Sequence, residues 1–463
     1  MKKRWPFLFF PATFLLLWIL ALLSKGIYDP GDGVMHYLFA HYAGKHPALF
    51  LDHWAKPLYT LLSFPFAVFG YGGTLAFNLL CLCASGWFTW KIAEKLKLPF
   101  APLAAPLVIF APIALPVGMS GLTEPLFMLV LVAGIFFVMN GRNGIAALVI
   151  SLLPFARTEG FFLAPLFAFY FLGRKDFVPV FLLGAGTLLY SVAGAFLYHD
   201  ILWIIHKNPY TGAEKIYGHG TLFHFIALNE FTWGWGMTAL LAMGMIAAVF
   251  RKRFAASVSS AEGWLVYGTF LLFLVMHSVF WWKGLFGSLG LHRVMACTIP
   301  SAVLISLRGF HVIGAYVRSA AAMKTIAGIV LAVQVFLTWR QHPLPLQPSD
   351  DFAIDRTAAD FLAENNYTGE RIFSSHPVFA FLAGKDPFDK TQFVSFTCSC
   401  LDTDFRKGDI VIWDSHFTKF DYGIPIEELS NHPKLKELAR FGEMPATREE
   451  ASGKNLVGIF QVK

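Results

Sequence analysis

The sequence predicts a polytopic α-helical membrane protein carrying a small C-terminal α/β domain outside the bilayer, and three observations predict it. The 463 residues are 56% hydrophobic, 16% aromatic and only 14% charged, whereas soluble domains carry roughly 25% charged residues. Up to Arg340 the chain is a succession of apolar runs of membrane-crossing length. Beyond Arg340 a Pro-rich stretch, QHPLPLQPSDD, gives way to mixed polar sequence of soluble character. The formal net charge of +7 is modest and sits mostly in short loops, where it orients a membrane protein. A nucleic-acid partner is therefore not expected.

A helix needs about 20 apolar residues to cross the hydrocarbon core. On that basis spans are expected near residues 6–24, 72–91, 99–118, 121–139, 143–157, 160–173, 177–198, 233–250, 263–283, 293–308 and 324–340, about eleven in all. The pair around Arg157 is short for a span and reads as helices that bend or end inside the protein. The first run follows Lys2, Lys3 and Arg4 and lacks a small-residue cleavage site, so it is expected to be retained and not removed as a signal peptide.

The basic residues of the short loops set the orientation. With the N-terminus cytoplasmic, Lys91, Lys95, Lys97, Arg142, Arg174, Lys175, Arg251, Lys252, Arg253, Arg308, Arg318 and Lys324 all fall inside. The expected location is the plasma (inner) membrane, multi-pass, with the C-terminal domain extracytoplasmic. The domain plan is a transmembrane domain of residues 1–340, with large outer loops at 25–71 and 199–232, and a soluble domain of residues 341–463. Within the first loop, KPLYTLLSFPFAVFG is apolar but too short to span and reads as an interfacial helix. In the C-terminal domain, Asp355 to Asn365 reads as helix; Arg371 to Phe381, Asp409 to Asp414 and Leu456 to Val462 as strands; and Pro425 to Arg440 as one or two helices. Cys81, Cys83 and Cys297 lie in apolar runs as small core residues. Cys398 and Cys400 lie outside them, as free thiols or a strained, redox-labile pair.

The chemistry concentrates where polarity is expensive. The first outer loop, KGIYDPGDGVMHYLFAHYAGKHPALFLDHWAKP, holds Asp29, Asp32 and Asp52 with His36, His41, His46 and His53. Glu124 begins the fourth span, Arg157 and Glu159 join the fifth and sixth, and His292 with Arg293 begins the tenth. All are expected at the outer boundary, where such charges either face a shared polar cavity or pair with one another. The plainer alternative is that each flanks its own helix at the interface.

These residues carry a resemblance. Asp32–Gly33 followed by aromatics, the WAKP continuation at Trp54 to Pro57, LTE at Leu122 to Glu124, R-x-E-G at Arg157 to Gly160, and His292–Arg293 ahead of an apolar run containing Pro300 together resemble the GT-C superfamily. Its members are polytopic glycosyltransferases using polyprenyl-phosphate sugars, mannosyltransferases among them. The resemblance covers about residues 1–340 as an architecture, and the order and common sidedness of its short motifs carry it. It implies a hexosyltransferase acting on a protein, lipid or glycan acceptor, with Asp32 activating the acceptor hydroxyl. Gly33 stands where many members carry a second acid, which counts against a metal-binding acidic pair. Asp29 is a substitute, though D-P-G is also an ordinary turn.

Such a reaction needs a carboxylate near the acceptor and cations at the departing phosphate. Arg293, His292, Lys56 and Arg157 are the candidates for the phosphate, Arg for its bidentate fork. Glu124, Glu159, His36 and Tyr210 are candidates for sugar or acceptor contacts, with a structural Arg157–Glu159 pair as the alternative for those two. His36 and His41 are five apart, not the i, i+4 of a helical metal site, so no metal ligand is assigned; a divalent cation shared by Asp32 and Glu124 is left open. The competing class is a transporter or flippase of lipid-linked or small polar substrates, which would show midplane charges and inverted repeats. A third reading gives the function to the C-terminal domain, with the membrane region as its platform.

Overall fold

The structure is a computed structural model of the chain and describes residues 5–209, 218–254, 257–396, 404–447 and 453–463. Tyr210, Cys398, Cys400 and the leading Lys2, Lys3 and Arg4 lie outside the described residues. Two compact units form, Met1–Leu22 with Ala48–Leu344, and Leu23–Pro47 with Pro345–Lys463.

The first unit is a polytopic helical bundle. Among the described residues six helices are long and apolar enough to cross a membrane: Pro6–Leu23, Tyr71–Lys95, Phe177–Tyr198, Ser260–Lys283, His292–Tyr316 and Ala320–Gln341. Glu124–Met139, Asn143–Ala156, Gly160–Gly173 and Trp235–Val249 are apolar and shorter. Tyr71–Lys95 and His292–Tyr316 are buried for most of their length, and Pro6–Leu23 and Phe177–Tyr198 are mostly exposed. Phe7, Leu16, Phe181 and Phe196 project outward, as side chains facing hydrocarbon do.

The run expected as one span at 99–118 is instead three short helices, Ala101–Leu103, Ala104–Ile109 and Ala114–Gly118. Pro102, Pro106, Pro112 and Pro116 each remove a backbone donor. The break is tolerated because Ala104–Ile109 is wholly buried in protein. The apolar stretch after Lys56 forms the helix Pro57–Ala67. Arg308, counted above with the loop cations, lies inside the Ile299–Tyr316 helix. Its Nε and Nη2 each sit 2.8 Å from Glu262, and both residues are buried, so it contributes nothing to loop charge.

The second unit is a five-stranded mixed sheet with helices, in the order β2-β1-β3-β5-β4. The strands are β1 (Ile372–Ser374), β2 (Phe393–Val394), β3 (Ile410–Asp414), β4 (Leu435–Gly442) and β5 (Leu456–Val462). β1 runs parallel to β2 and β3, while β5 is antiparallel to β3 and β4. Phe373, Val411, Trp413, Ile426, Leu429 and Phe460 form its core.

Two expectations are corrected here. The strand expected through Phe381 ends at Ser374, because Pro377 starts the helix Pro377–Leu382 with the His376 ring accepting from the Val378 amide. The helix expected to run to Arg440 stops at Ser430, and Leu435–Gly442 is strand. Pairing with β5, Leu435 opposite Val462 and Phe441 opposite Val457, overrides the helical propensity of LKELAR.

Leu23–Pro47 is built into this second unit. Ser24 Oγ accepts from the Leu346 amide at 2.8 Å, Lys25 and Gly26 donate to Leu346 O at 3.0 Å, and Arg356 reaches Lys25 O at 3.1 Å. The loop's helix, Asp32–Tyr42, adds ring contacts of Tyr37 with Phe381 and Phe39 with Phe388.

Candidate functional site: a buried charge cluster at helix ends

In the first unit the sequence brings charges together by placing helix breaks next to one another. Glu124 is the first residue of Glu124–Met139, where a carboxylate meets the positive end of the helix dipole. The turn ahead of it is fixed by two buried side chains. Asn78 donates to Ser120 O at 2.6 Å and Leu122 O at 2.8 Å, and Tyr59 Oη donates to Gly121 O at 2.7 Å.

Arg157 lies in extended backbone between Leu153–Ala156 and Gly160–Gly173. Gly160 lets that break close tightly, since a Cβ there would stand 2.4 Å from Pro154 N. Arg293 comes from the 3-10 turns His292–Thr298. Lys56 precedes Pro57 with a φ of 66°, a left-handed conformation that a lysine holds only where the surroundings enforce it.

Arg157 is the hub. Its Nη1 is 2.8 Å from Glu124 Oε1 and donates to Thr123 Oγ1 at 3.1 Å, while Nε and Nη2 donate to Glu159 Oε1 at 3.2 and 2.7 Å. Glu124 Oε1 is also 3.8 Å from Arg293 Nε. The Glu124 contacts are ionic without hydrogen-bond alignment. Lys56 Nζ donates to Thr158 Oγ1 at 3.2 Å, and His277 Nε2 stands 3.9 Å from Glu159 Oε1. Glu124 has no exposed surface, and Lys56 and Arg293 are buried.

Five of the nine expected site residues, Lys56, Glu124, Arg157, Glu159 and Arg293, are therefore one cluster, with His292 half-buried beside Arg293. Asp32 and His36 belong to the second unit, on the helix Asp32–Tyr42. The Asp32 amide donates to Asp29 Oδ1 at 3.1 Å, and His36 is buried one turn further on.

Sequence reading missed His277, Asn78, Tyr59, Thr123 and Thr158. The signal for the first two was present: each is a polar residue inside an apolar helix, as costly there as a charge at a span end. Among the described residues no group of three or more His, Cys, Asp or Glu side chains is arranged to hold a metal ion.

The crossing helices are those of a multi-pass membrane protein, and the fold is shared with proteins of known structure. The likeness is to two crystal structures of ArnT from Cupriavidus metallidurans. The structure bound to undecaprenyl phosphate superposes with a TM-score of 0.62 at 10% identity, covering 99% of this chain and 98% of that one. The apo structure gives 0.58 at 11% identity, covering 98% and 97%. At these identities the likeness establishes the fold. No family model matches the sequence, and no curated relative matches it.

Proposed function

We propose that this protein is a membrane glycosyltransferase moving a hexose, mannose-like, from a polyprenyl-phosphate donor to an acceptor outside the cytoplasm. The observation that carries the reading is the charge balance of the buried cluster. Lys56, Arg157 and Arg293 gather in it beside Glu124 and Glu159, and any charge on His277 adds to the positive side. Buried charge is retained where it is paired or where a ligand completes it. An anion therefore fits there, and the structurally similar ArnT was crystallised with undecaprenyl phosphate. The ends of helices are also where these charges stand: Glu124 opens its helix, Arg157 and Glu159 occupy a break, and Arg293 lies in a first turn. That placement favours surface chemistry over the midplane site of a transporter.

In this reading Lys56 and Arg293 hold the donor phosphate, and Arg157, fixed by two carboxylates, keeps Glu124 and Glu159 in place to accept from sugar hydroxyls. An acceptor hydroxyl oxygen bonds to the anomeric carbon while its proton passes to the Asp32 carboxylate. The bond from anomeric carbon to phosphate oxygen breaks, and its electron pair stays on the prenyl phosphate, where the cations stabilise it. Asp32→Asn keeps the shape and removes the base. With purified protein and labelled polyprenyl-phosphate mannose, transfer should fall by about 10²–10⁴-fold with insertion and yield unchanged; transfer near the wild-type level would remove Asp32 from the role.

A further inference from the structure

The second unit contains a buried polar network that the proposed chemistry does not use. His376 Nε2 is 3.4 Å from Asp355 Oδ2, and Asp355 Oδ1 accepts from Asn455 Nδ2 at 2.9 Å. Asn455 Oδ1 accepts from Ser415 Oγ at 2.7 Å, and Ser415 Oγ in turn accepts from the Leu456 amide at 3.0 Å. Beside it Asp414, the last residue of β3, accepts from the Phe417 amide at 2.6 Å and from Thr418 Oγ1 at 2.8 Å. His376, Asp355, Asn455, Ser415, Asp414 and Thr418 are all buried. Such a network is costly unless fully connected, and when connected it fixes one geometry.

What it fixes is Phe417. The ring lies 4.4 Å from the His376 ring and 4.8 Å from the His416 ring, on the π-helical turn Ser415–Asp421 that Asp414 caps. Its outer edge meets the first loop. A Cβ at Gly31 would stand 3.0 Å from Phe417 Cζ, so a larger residue there would push the ring back by a few tenths of an ångström. Gly31 immediately precedes Asp32, whose amide is tied to Asp29 Oδ1. Asp29 itself holds a left-handed φ of 55°. The rest of the helix and the loop after it are gripped from the same unit, Tyr37 on Phe381, Phe39 on Phe388 at 4.8 Å, and His46 Nε2 on Asp386 Oδ2 at 3.1 Å.

We propose that Phe417, packed on His376 and seated over Gly31, is a positioning residue for the reaction: it sets where the Asp29–Asp32 turn holds the Asp32 carboxylate. This rests on the reading of Asp32 as the base.

The experiment uses the purified full-length protein, labelled polyprenyl-phosphate mannose for transfer and polyprenyl phosphate alone for binding. Phe417→Leu, which keeps most of the packing volume, and Phe417→Ala should lower kcat by about 10- to 100-fold, the loss that a displacement of about 1 Å brings. Polyprenyl phosphate binding should stay within about twofold, since these variants leave the cations untouched. Gly31→Ala should lower kcat by pressing on the ring, and the double variant Gly31→Ala with Phe417→Leu should recover part of that loss, a rescue that general destabilisation would not produce. Wild-type kcat in both Phe417 variants, with Asp32→Asn inactive, overturns this inference and leaves the base intact. Transfer surviving in Asp32→Asn overturns the base first. Parallel loss of kcat and lipid binding without rescue reduces Phe417 to a structural residue and overturns the inference as well.

Discussion

Arg157 and His376 are charged or chargeable side chains under cover, each held by carboxylates. For Arg157 those are Glu124 and Glu159; for His376 it is Asp355, at 3.4 Å. Burial alone pushes the His376 imidazole down, but Asp355, with Asp414 and Asp351, more than reverses this and holds it above the ordinary histidine value of 6.5. A histidine raised in the folded state contributes stability that is complete below its unfolded value and is lost as pH rises through the folded one. The second unit should therefore lose stability as pH is raised above about 6.5 through the raised value. Thermal unfolding of wild type and His376→Gln across that window checks this, and the variant's profile should be flatter. At this scale the span-end charges were legible because polarity near hydrocarbon demands a reason. His277 and Asn78 carried the same signal but were passed over, since a lone polar residue in an apolar run also fits a satisfied core position. The Asp355–His376 pair joins residues 21 apart in sequence, and no local pattern marks it.

At the scale of elements, the cluster depends on helix breaks, and the turn before Glu124 depends on the buried side chains of Asn78 and Tyr59. Asn78 satisfies two carbonyls in the turn before Glu124. Replacing it by leucine leaves both buried without that donor, at about 1–3 kcal/mol each. Asn78→Leu should lower the melting temperature in detergent and weaken lipid-phosphate binding together, by displacing Glu124 and, through it, Arg157. Unchanged binding would show that the turn does not set the cluster. Helices with strong apolar runs, such as Tyr71–Lys95 and Ala320–Gln341, were readable to within a few residues. The Pro-rich run at 99–118 was readable as apolar but not as broken, since burial in protein, which sequence does not display, decides whether broken backbone is tolerated. β4 was hidden for the converse reason: its strand state comes from β5, not from its own residues.

For the molecule as a whole, the long apolar runs and the composition change after Arg340 displayed both the membrane-crossing helices and a separate C-terminal sheet unit. That Leu23–Pro47 is folded into the second unit was not displayed, because the contacts join residues more than 300 apart, such as Ser24 with Leu346. The basic loops predict that the second unit lies outside the cytoplasm. Alkaline phosphatase fused after Lys463 should be active, and fused after Arg142 inactive; the reverse pattern would invert the topology. The account's central claim is that the buried cluster holds the phosphate of a lipid-linked donor. Binding of polyprenyl phosphate to the purified protein in detergent, wild type against Arg293→Ala, tests it most directly. Loss of a charge-assisted contact worth about 1.5–3 kcal/mol predicts affinity weakened by roughly 10- to 150-fold in the folded variant. Equal affinity in the two proteins would contradict it.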